Sequence, residues 1–365
     1  MPLLPLSGHE EVRRRLAQAR DAGKLPQVLL LTGQPGVGRQ RLALWLAQLV
    51  LCRKPGPEPC GECRPCHLVL ELSHADVHWF VPIPRPKAAD PQKQADEAAE
   101  AIGQVMAERR ATPLWGAPDG MASHALASVR LLQRRASLTA VEGGPRIFII
   151  GDAERMVPQE SSPEAANAAL KLLEEPPTDA LFVLTASDPR GLLPTIRSRA
   201  VPLRLGALTD AQVRKFLETH LSPRPSPQEL DARVAAAGGS IGVALTAADE
   251  ASAARQAAAG LLEAAAAGTP ELLERALKQA PWSARGEFSS MLDAVAEVLG
   301  EAARGAAGHE PRWRLPEALR RPRSPAAYLE AIGYVNEARD AAAGNVNPQL
   351  VLAVLGGELA GVLGG

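Results

Sequence analysis

The sequence predicts a parallel α/β domain followed by a helical region, and three observations support this fold class. Short apolar runs alternate with helical patterns over residues 1–206, and a glycine-rich turn joins the first run to a helix. The second half of the chain is rich in alanine, while aromatic residues make up only 3% of the whole. Strands that alternate with helices are typical of a parallel sheet. Because single cores stop growing near roughly 250 to 300 residues, we expect two or three domains.

The individual elements follow from hydrophobic spacing. Residues 8–23 are predicted to form an amphipathic helix, because apolar side chains recur there at helical intervals. Residues 28–32 are apolar and are bounded by a proline and a glycine, which favours a buried strand. A second helix follows the glycine-rich turn, and another is predicted over 163–175, where a pair of prolines ends it. The remaining predicted strands are 147–150, 181–185 and 201–205.

Changes in composition divide the chain. We predict a first domain over 1–206, a small helical lid over 207–249 and a helical C-terminal domain over 250–365. Within the first domain, residues 82–123 are rich in proline at both ends and have a polar, alanine-rich middle. We expect this segment to be an exposed insertion.

The charge balance argues against a dedicated nucleic-acid-binding protein. The chain has 40 basic and 41 acidic residues and a net charge of -1, so it lacks the broad basic surface that such proteins use. The N-terminal segment contains prolines and charges instead of a continuous apolar stretch, and no apolar run approaches the roughly 18 residues of a membrane span. We therefore expect a soluble cytoplasmic protein without membrane contact.

The turn between the first predicted strand and the next helix is typical of a phosphate-binding loop. A working loop needs a lysine to reach the terminal phosphates and a hydroxyl to hold magnesium. The planar guanidinium of Arg39 is not equivalent to a lysine ammonium, and the Gln40 amide is a poorer magnesium ligand than a hydroxyl. We predict a degenerate nucleotide loop, and a simple strand-to-helix turn is the alternative. Its residues are Gly33, Gln34, Pro35, Gly36, Val37, Gly38, Arg39 and Gln40.

A second change follows the predicted strand 147–150. A nucleotide-hydrolysing protein of this architecture would place an acidic pair here for magnesium and water. This chain has Gly151 and Asp152, so one carboxylate is missing. Both halves of the expected ATP site are altered together, which predicts that the chain does not hydrolyse ATP.

The four cysteines of the chain lie close together and predict a metal site. Cys52, Cys60, Cys63 and Cys66 have the spacing C-x7-C-x2-C-x2-C, which can surround one tetrahedral zinc. Their clustering argues against a disulfide framework that spans the fold. His67 is a weaker alternative ligand. No glutamate that would activate a water is evident, so we expect a closed, structural zinc module over about 52–66.

Several further segments, taken in order with the altered loop and the cysteine cluster, resemble the clamp-loader branch of the AAA+ family. Each segment is modest alone, but their order and spacing make an accidental match improbable, and together they cover most of the chain apart from the insertion. The segments are Ala-Asn-Ala-Ala-Leu-Lys-Leu-Leu-Glu-Glu-Pro-Pro at 166–177, Thr-Ile-Arg-Ser-Arg-Ala at 195–200, Gly-Gly-Ser-Ile-Gly at 238–242 and Asn-Val-Asn-Pro at 345–348.

The resemblance implies a fold and a set of partners. The fold would be a RecA-like AAA+ domain with an inserted zinc module, a small helical lid and an all-α collar domain that joins subunits. The chain would be a non-hydrolysing subunit of the DNA polymerase III clamp loader, together with gamma or tau and delta subunits. Adjacent subunits would bind the ATP, and the assembled complex would act on a sliding clamp and primed DNA.

The resemblance also implies roles for two positions. Family members carry a Ser-Arg-Cys motif whose arginine reaches the γ-phosphate of ATP held by the next subunit, where a rigid cation stabilises transition-state charge. Here Ser198 and Arg199 are followed by Ala200, so Arg199 is the expected finger. Taken by itself, Arg199 would be read as a surface arginine that caps the strand 201–205. A second phosphate sensor of the family would be an arginine at position 242, where this chain has glycine.

Two rival interpretations remain at this stage. One is a self-sufficient ATPase of the gamma or tau kind in which Arg39 replaces lysine, and Gln40 and Gly151 argue against it. The other is a zinc-dependent nucleic-acid-binding regulator, which the near-neutral charge and the ordered AAA+ segments disfavour.

Overall fold

The chain divides into two units in the computed structural model. The first unit comprises residues 1–230 and 239–245, and the second comprises 231–238 and 246–365. This division does not test the three predicted domains, which stay a prediction. The structure describes residues 3–4, 6–54, 56–112, 122–156, 163–221, 224–245, 248–279, 285–311, 315–319, 323–343 and 346–363.

Five parallel strands form the sheet of the first unit, in the order β2-β3-β4-β1-β5. This order, with β1 between β4 and β5, confirms the predicted RecA-like architecture. Strands β3 and β4 are buried along their whole length, whereas β5 lies at an edge and is largely exposed. The strands are β1 (Val28–Thr32), β2 (Val77–Phe80), β3 (Arg146–Ile150), β4 (Ala180–Ala186) and β5 (Val201–Arg204).

The four predicted strands are all present, with ends that differ by no more than one residue. Strand β2 was not predicted. Its sequence, Val-His-Trp-Phe, has a histidine in place of a continuous apolar run. It pairs with β3, so the partner strand and not its own pattern decides its conformation.

Helices cover the sheet of the first unit. The predicted opening helix and the helix that ends before the two prolines are both confirmed, as α1 and α6. The helices are α1 (Glu10–Asp21), α2 (Arg39–Leu51), α3 (Arg64–Leu70), α4 (Pro91–Ala111), α5 (Leu126–Ala136), α6 (Glu164–Glu174), α7 (Pro194–Arg197), α8 (Asp210–His220), α9 (Pro227–Ala237, which crosses the boundary between the units) and α10 (Ile241–Leu245).

Helix α4 corrects the expectation that the segment 82–123 is exposed. Asp90 caps this helix by accepting hydrogen bonds from two backbone N–H groups, and one face of the helix packs against α5. Ile102 and Arg109 on that face are buried. Small alanines at helical spacing let the two helices approach closely, so a segment that reads as polar still buries one side. The expected loop over 113–121 lies outside the described residues.

The second unit is helical, as predicted for the C-terminal region. It has its own apolar core, in which side chains such as Leu292, Val295 and Leu359 are fully buried. The predicted break near Pro270 lies at Gly268, and Pro270 occupies the first turn of the next helix. Asn345 of the resemblance lies outside the described residues. The helices are α11 (Ala248–Ala267), α12 (Thr269–Lys278), α13 (Arg285–Ala306), α14 (Pro325–Ala343) and α15 (Pro348–Leu363).

Among the described residues, no helix combines the length and the apolar character that crossing a membrane requires.

Candidate functional site

The glycine-rich loop connects β1 to α2 and is packed against a second backbone segment. Ser240 Oγ donates a hydrogen bond of 2.8 Å to the carbonyl of Pro35, and the N–H of Gly242 donates one of 2.9 Å to the carbonyl of Gly36. Gly36 has a positive φ of 72°, and a Cβ atom there would lie 2.5 Å from Ser240 Oγ. Both the backbone conformation and the packing against Ser240 therefore require glycine at this position.

Position 242 has no room for the arginine of the second phosphate sensor. A Cβ atom on Gly242 would lie 2.5 Å from the Cα atom of Gly36, which is backbone and cannot turn aside. In this arrangement the loop and the segment that carries Gly242 contact each other backbone to backbone. The absence of an arginine at position 242 is thus a condition of the packing.

The side chain of Gln40 spans the gap between the loop and the end of β3. Its Nε2 atom donates a hydrogen bond of 2.9 Å to Asp152 Oδ2. A Cβ atom on Gly151 would lie 3.0 Å from three atoms of the Gln40 amide, so a side chain at position 151 would require that amide to shift. In P-loop enzymes this gap, between the hydroxyl of the loop and the acidic residue of the strand, holds magnesium. Here an amide occupies it.

Two guanidinium groups lie beside the same carboxylate. Arg39 Nη2 is 3.7 Å from Asp152 Oδ1, and Arg109 Nη1 donates a hydrogen bond of 3.4 Å to Gln40 Oε1. Arg109 is 1% exposed and its Cζ atom lies 3.9 Å from the centre of the Trp79 ring, which is cation–π geometry. Burial lowers the pKa of Arg109 to about 9, so the group is still charged at neutral pH. Two guanidinium groups therefore place positive charge beside Asp152 and the Gln40 amide.

Two histidines bind backbone carbonyls around this pocket. His9 Nε2 is 2.8 Å from the carbonyl of Val37 in the loop, and His124 Nε2 is 2.7 Å from the carbonyl of Gly151. His124 is buried, and burial lowers its pKa below the usual value. These contacts fix the backbone on both sides of the Gln40 amide.

The four cysteines lie together, as the spacing predicts. Their Sγ atoms are all within 4.8 Å of one another, and those of Cys52 and Cys63 are 3.9 Å apart. With Zn–S bonds of about 2.3 Å, a tetrahedral site places its sulfur atoms about 3.8 Å apart. The donor set and its spacing therefore fit one zinc ion. His67 is exposed on α3 and is not part of this cluster.

Local structure positions and tunes the thiols. Cys52 ends α2, and Cys63 and Cys66 lie at the start of α3. The backbone N–H groups of Glu62 and Cys63 lower the pKa of the Cys60 thiol to about 6, whereas burial raises the pKa of Cys66. The carbonyl of Cys66 accepts a hydrogen bond of 3.1 Å from buried Gln48 on α2. The cluster is thereby attached to the helix that follows the glycine-rich loop.

Arg199 lies apart from the pocket, just before the edge strand β5. Its side chain is 31% exposed, and its Nη1 atom donates a hydrogen bond of 2.7 Å to the carbonyl of Thr195 in α7. Its Nη2 atom pairs with the carboxylate of Glu174 at the end of α6. None of the hydrogen bonds of its side chain goes to β5, so the geometry does not support a strand cap.

The sequence analysis missed Arg109, Trp79 and Glu174. Arg109 continues the apolar face of α4 at helical spacing, and that periodicity is a signal that was present in the sequence. Trp79 lies on the strand that was not predicted. Glu174 lies within the segment 166–177, but no feature of the sequence pairs it with Arg199.

The comparisons with known proteins agree with this architecture. A family model described as "DNA polymerase III, delta subunit" matches residues 8–209, more than half of the chain. A DNA polymerase III subunit delta' of Bacillus subtilis is 28% identical over 216 residues, which are 58% of this chain and 53% of that protein. The corresponding protein of Pseudomonas aeruginosa is 31% identical over 213 residues, which are 58% of this chain and 52% of that protein.

The chain is also similar to proteins named as gamma or tau subunits or as gamma-related. A DNA polymerase III subunit gamma/tau of Mycobacterium bovis is 29% identical over 202 residues, which cover 54% of this chain and 28% of that protein. A solved gamma-subunit-related protein of Thermotoga maritima aligns with 98% of this chain and 100% of its own at 17% identity, with a TM-score of 0.38 that is too low to bear on the fold.

The chain spans about half the length of the curated delta-prime relatives it matches. The family model's match over residues 8–209 includes the glycine-rich loop, the cysteine cluster and Arg199. The chain belongs to the family described as DNA polymerase III, delta subunit, and within it resembles clamp-loader subunits of the delta-prime type.

Proposed function

We propose that this chain is a non-hydrolysing, delta-prime-type subunit of a cytoplasmic DNA polymerase III clamp loader, and that Arg199 acts on ATP held by an adjacent subunit. The observation that carries the first half of the proposal is the Gln40 amide, which spans the place of magnesium between the loop and Asp152. Without magnesium between these two positions, the terminal phosphate has no metal to neutralise its developing charge.

The position and exposure of Arg199 support the second half. An arginine that acts on another subunit must lie at the surface, and Arg199 is partly exposed beside the edge strand β5. Its planar fork matches the oxygens of a phosphate. By contrast, Arg39 and Arg109 are buried and already bonded within the chain.

The cysteine cluster fits a structural role. The four cysteines would hold zinc with no position left for water, and the metal would contribute folding energy and no chemical step. ATP itself would be bound by the neighbouring gamma or tau subunits.

The second unit has a surface suited to the proposed collar. Helix α15 is apolar on all sides, and Leu350 and Val354 on it are more than half exposed. Gln349 Nε2 donates a hydrogen bond of 3.1 Å to the carbonyl of Leu277, which places the start of α15 beside the end of α12. Leu273 and Leu277 on α12 are also more than half exposed. A helix that is apolar all round is normally covered, and gamma or tau and delta subunits are the proposed partners.

The first test is nucleotide binding and turnover by the isolated chain. We expect neither magnesium-dependent ATP binding nor ATP hydrolysis, in a preparation free of partner subunits, at concentrations where a gamma or tau subunit from the same organism shows both. Sustained hydrolysis by the purified chain would instead support the rival, an ATPase of the gamma or tau kind.

The second test is the Arg199→Ala variant in a reconstituted complex with gamma or tau and delta subunits. Loss of an arginine finger costs about 10³-fold or more at a single site, but the other sites keep their own arginines, so we expect a smaller decrease in total clamp- and DNA-stimulated hydrolysis. Assembly should be unchanged, because an exposed arginine contributes little to a core. Arg199→Lys should also be slow, since lysine lacks the planar fork. Wild-type rates for Arg199→Ala in a fully assembled complex would refute the finger role.

A further inference from the structure

Two helix ends converge on the guanidinium of Arg199. Helix α6 ends at Glu174, because Pro176 and Pro177 follow and the residue before a proline is kept from helical geometry. Helix α7 ends at Arg197, and α6 and α7 contact each other. The chain thus brings the carboxylate of Glu174 and the carbonyl of Thr195 to the same place.

Within the described part of the chain, the hydrogen bonds of Arg199 use both terminal nitrogens of its guanidinium and leave its Nε–H group over. Nη1 donates to the carbonyl of Thr195 at 2.7 Å and to Ser198 Oγ at 3.4 Å, and Nη2 pairs with Glu174. A guanidinium has five N–H groups, so these bonds leave others over. Among the described residues the Nε–H of Arg199 has no hydrogen-bond partner. The cation is held in place and still has donors for a phosphate.

The ion pair between Arg199 and Glu174 contributes little to stability, so another role has to account for its geometry. The side chains of Arg199 and Glu174 are 31% and 43% exposed, and exposed pairs contribute about 0 to 1 kcal/mol. A free arginine side chain has many rotamers, and ordering it before binding reduces the entropy lost when it reaches its target. Ordering the Arg199 side chain therefore contributes more to the rate of a reaction than to the stability of the fold.

We propose that Glu174 is the positioning residue of the Arg199 finger. This inference rests on the proposed function. In it, Glu174 touches neither ATP nor the reacting atoms. It holds the guanidinium at the outer edge of the first unit in the orientation that a neighbouring γ-phosphate needs.

The neighbouring Glu175 offers a matched control. It is also exposed, has the same charge and side chain, and has no hydrogen bond to Arg199. Glu174→Gln and Glu175→Gln therefore change the net charge equally, and only the first removes the partner of the finger.

The experiment measures clamp- and DNA-stimulated ATP hydrolysis by the complete reconstituted complex with each variant, at a series of ATP concentrations. We expect Glu174→Gln to lower the kcat contributed by this site about fivefold with KM for ATP unchanged, because the neighbouring subunit still binds the nucleotide and only the placement of the cation is lost. Glu175→Gln should match wild type. Both variants should unfold at the wild-type temperature.

A double variant separates this inference from the proposed function. If Glu174 acts through the finger, Glu174→Gln should cause no further decrease once Arg199→Ala is present. The positioning role is wrong if Arg199→Ala slows hydrolysis but Glu174→Gln does not. It is also wrong if Glu174→Gln slows hydrolysis equally in the Arg199→Ala background. In both cases the proposed role of Arg199 is unaffected. A faster rate for Glu174→Gln would show that Glu174 restrains Arg199 from acting, and would also overturn the inference. If Arg199→Ala itself has no effect, the proposed function fails first.

Discussion

The pocket formed by the glycine-rich loop, Gln40 and Asp152 lies at the start of α2, and the cysteine cluster lies at its end. Each surrounds a place for a cation. At the start of α2, the Gln40 amide and the guanidinium of Arg109 occupy the place beside Asp152. At its end, Cys52 and three further cysteines bring four sulfur atoms within 4.8 Å of one another. The first place is filled by side chains of the chain, and the second has a donor set that fits a metal ion. The same helix therefore joins two places that differ in what can neutralise the charge there.

The largest expected effect is on the cysteine side of this comparison. Structural zinc sites contribute roughly 10 kcal/mol to folding, and we expect about half here because α2 is already held by the core. The purified chain should contain about one zinc, and Cys60→Ser should lose it and lower the free energy of unfolding by about 5 kcal/mol. Metal analysis and denaturant unfolding measure both quantities.

Glu62→Gln is the control for the zinc prediction. Glu62 lies between the ligands and pairs with Lys54 at the surface, so this variant should keep the metal and the stability. A native preparation with four titratable thiols and no metal would contradict the assignment.

The next largest expected effect is a loss of stability when Arg109, beside the pocket, is replaced. Arg109→Ala removes a buried cation that contacts both Gln40 and Trp79, and it leaves the carboxylate of Asp152 with less positive charge nearby. Breaking a buried charge network costs about 3 kcal/mol in unfolding free energy. Denaturant unfolding of the isolated chain measures the loss, and hydrogen exchange of α4 should become faster.

Arg110→Ala provides the matched control, since Arg110 is the next residue on α4 and is exposed. It should change stability by less than about 0.5 kcal/mol. Equal effects of the two variants would show that Arg109 does not fill the pocket in the way described.

The smallest effect is a pH dependence at His78 on β2, which contacts Phe148 and Arg135. Burial, and after it the nearby Arg135, lower the pKa of His78 on β2 from 6.5 to about 4. The unfolded chain therefore binds a proton between these values that the folded chain does not, so stability is present above about pH 6.5 and falls as the pH drops toward 4. From pH 7.5 to 5.5 the expected loss is about 1.4 kcal/mol.

His78→Leu should lack this component of the pH dependence, as measured by denaturant unfolding at the two pH values, while His309→Leu, at an exposed position, should keep it. An unchanged pH dependence in His78→Leu would mean that other groups cause the acid destabilisation.

The sequence predicted the backbone elements around the site better than the side-chain contacts within it. Strand β1, the loop and α2 could be located because apolar runs and glycines are local signals, and the cysteine spacing alone identified a metal cluster. Strand β2 and the buried face of α4 were not predicted. Both depend on a neighbour, β3 in one case and α5 in the other, and local patterns do not contain that neighbour.

What the sequence determined by itself is chemical identity at fixed spacing: a loop without lysine or hydroxyl, Gly151 in place of a carboxylate, four grouped thiols and an arginine after Ser198. Only the tertiary structure decided which charges meet. It brought Arg109 across 69 residues to Gln40 and Glu174 across 25 residues to Arg199. Such pairings arise because the sheet and its helices close long loops at a cost that grows only slowly with loop length, so the partner of a charged group is set by packing and not by its distance along the chain.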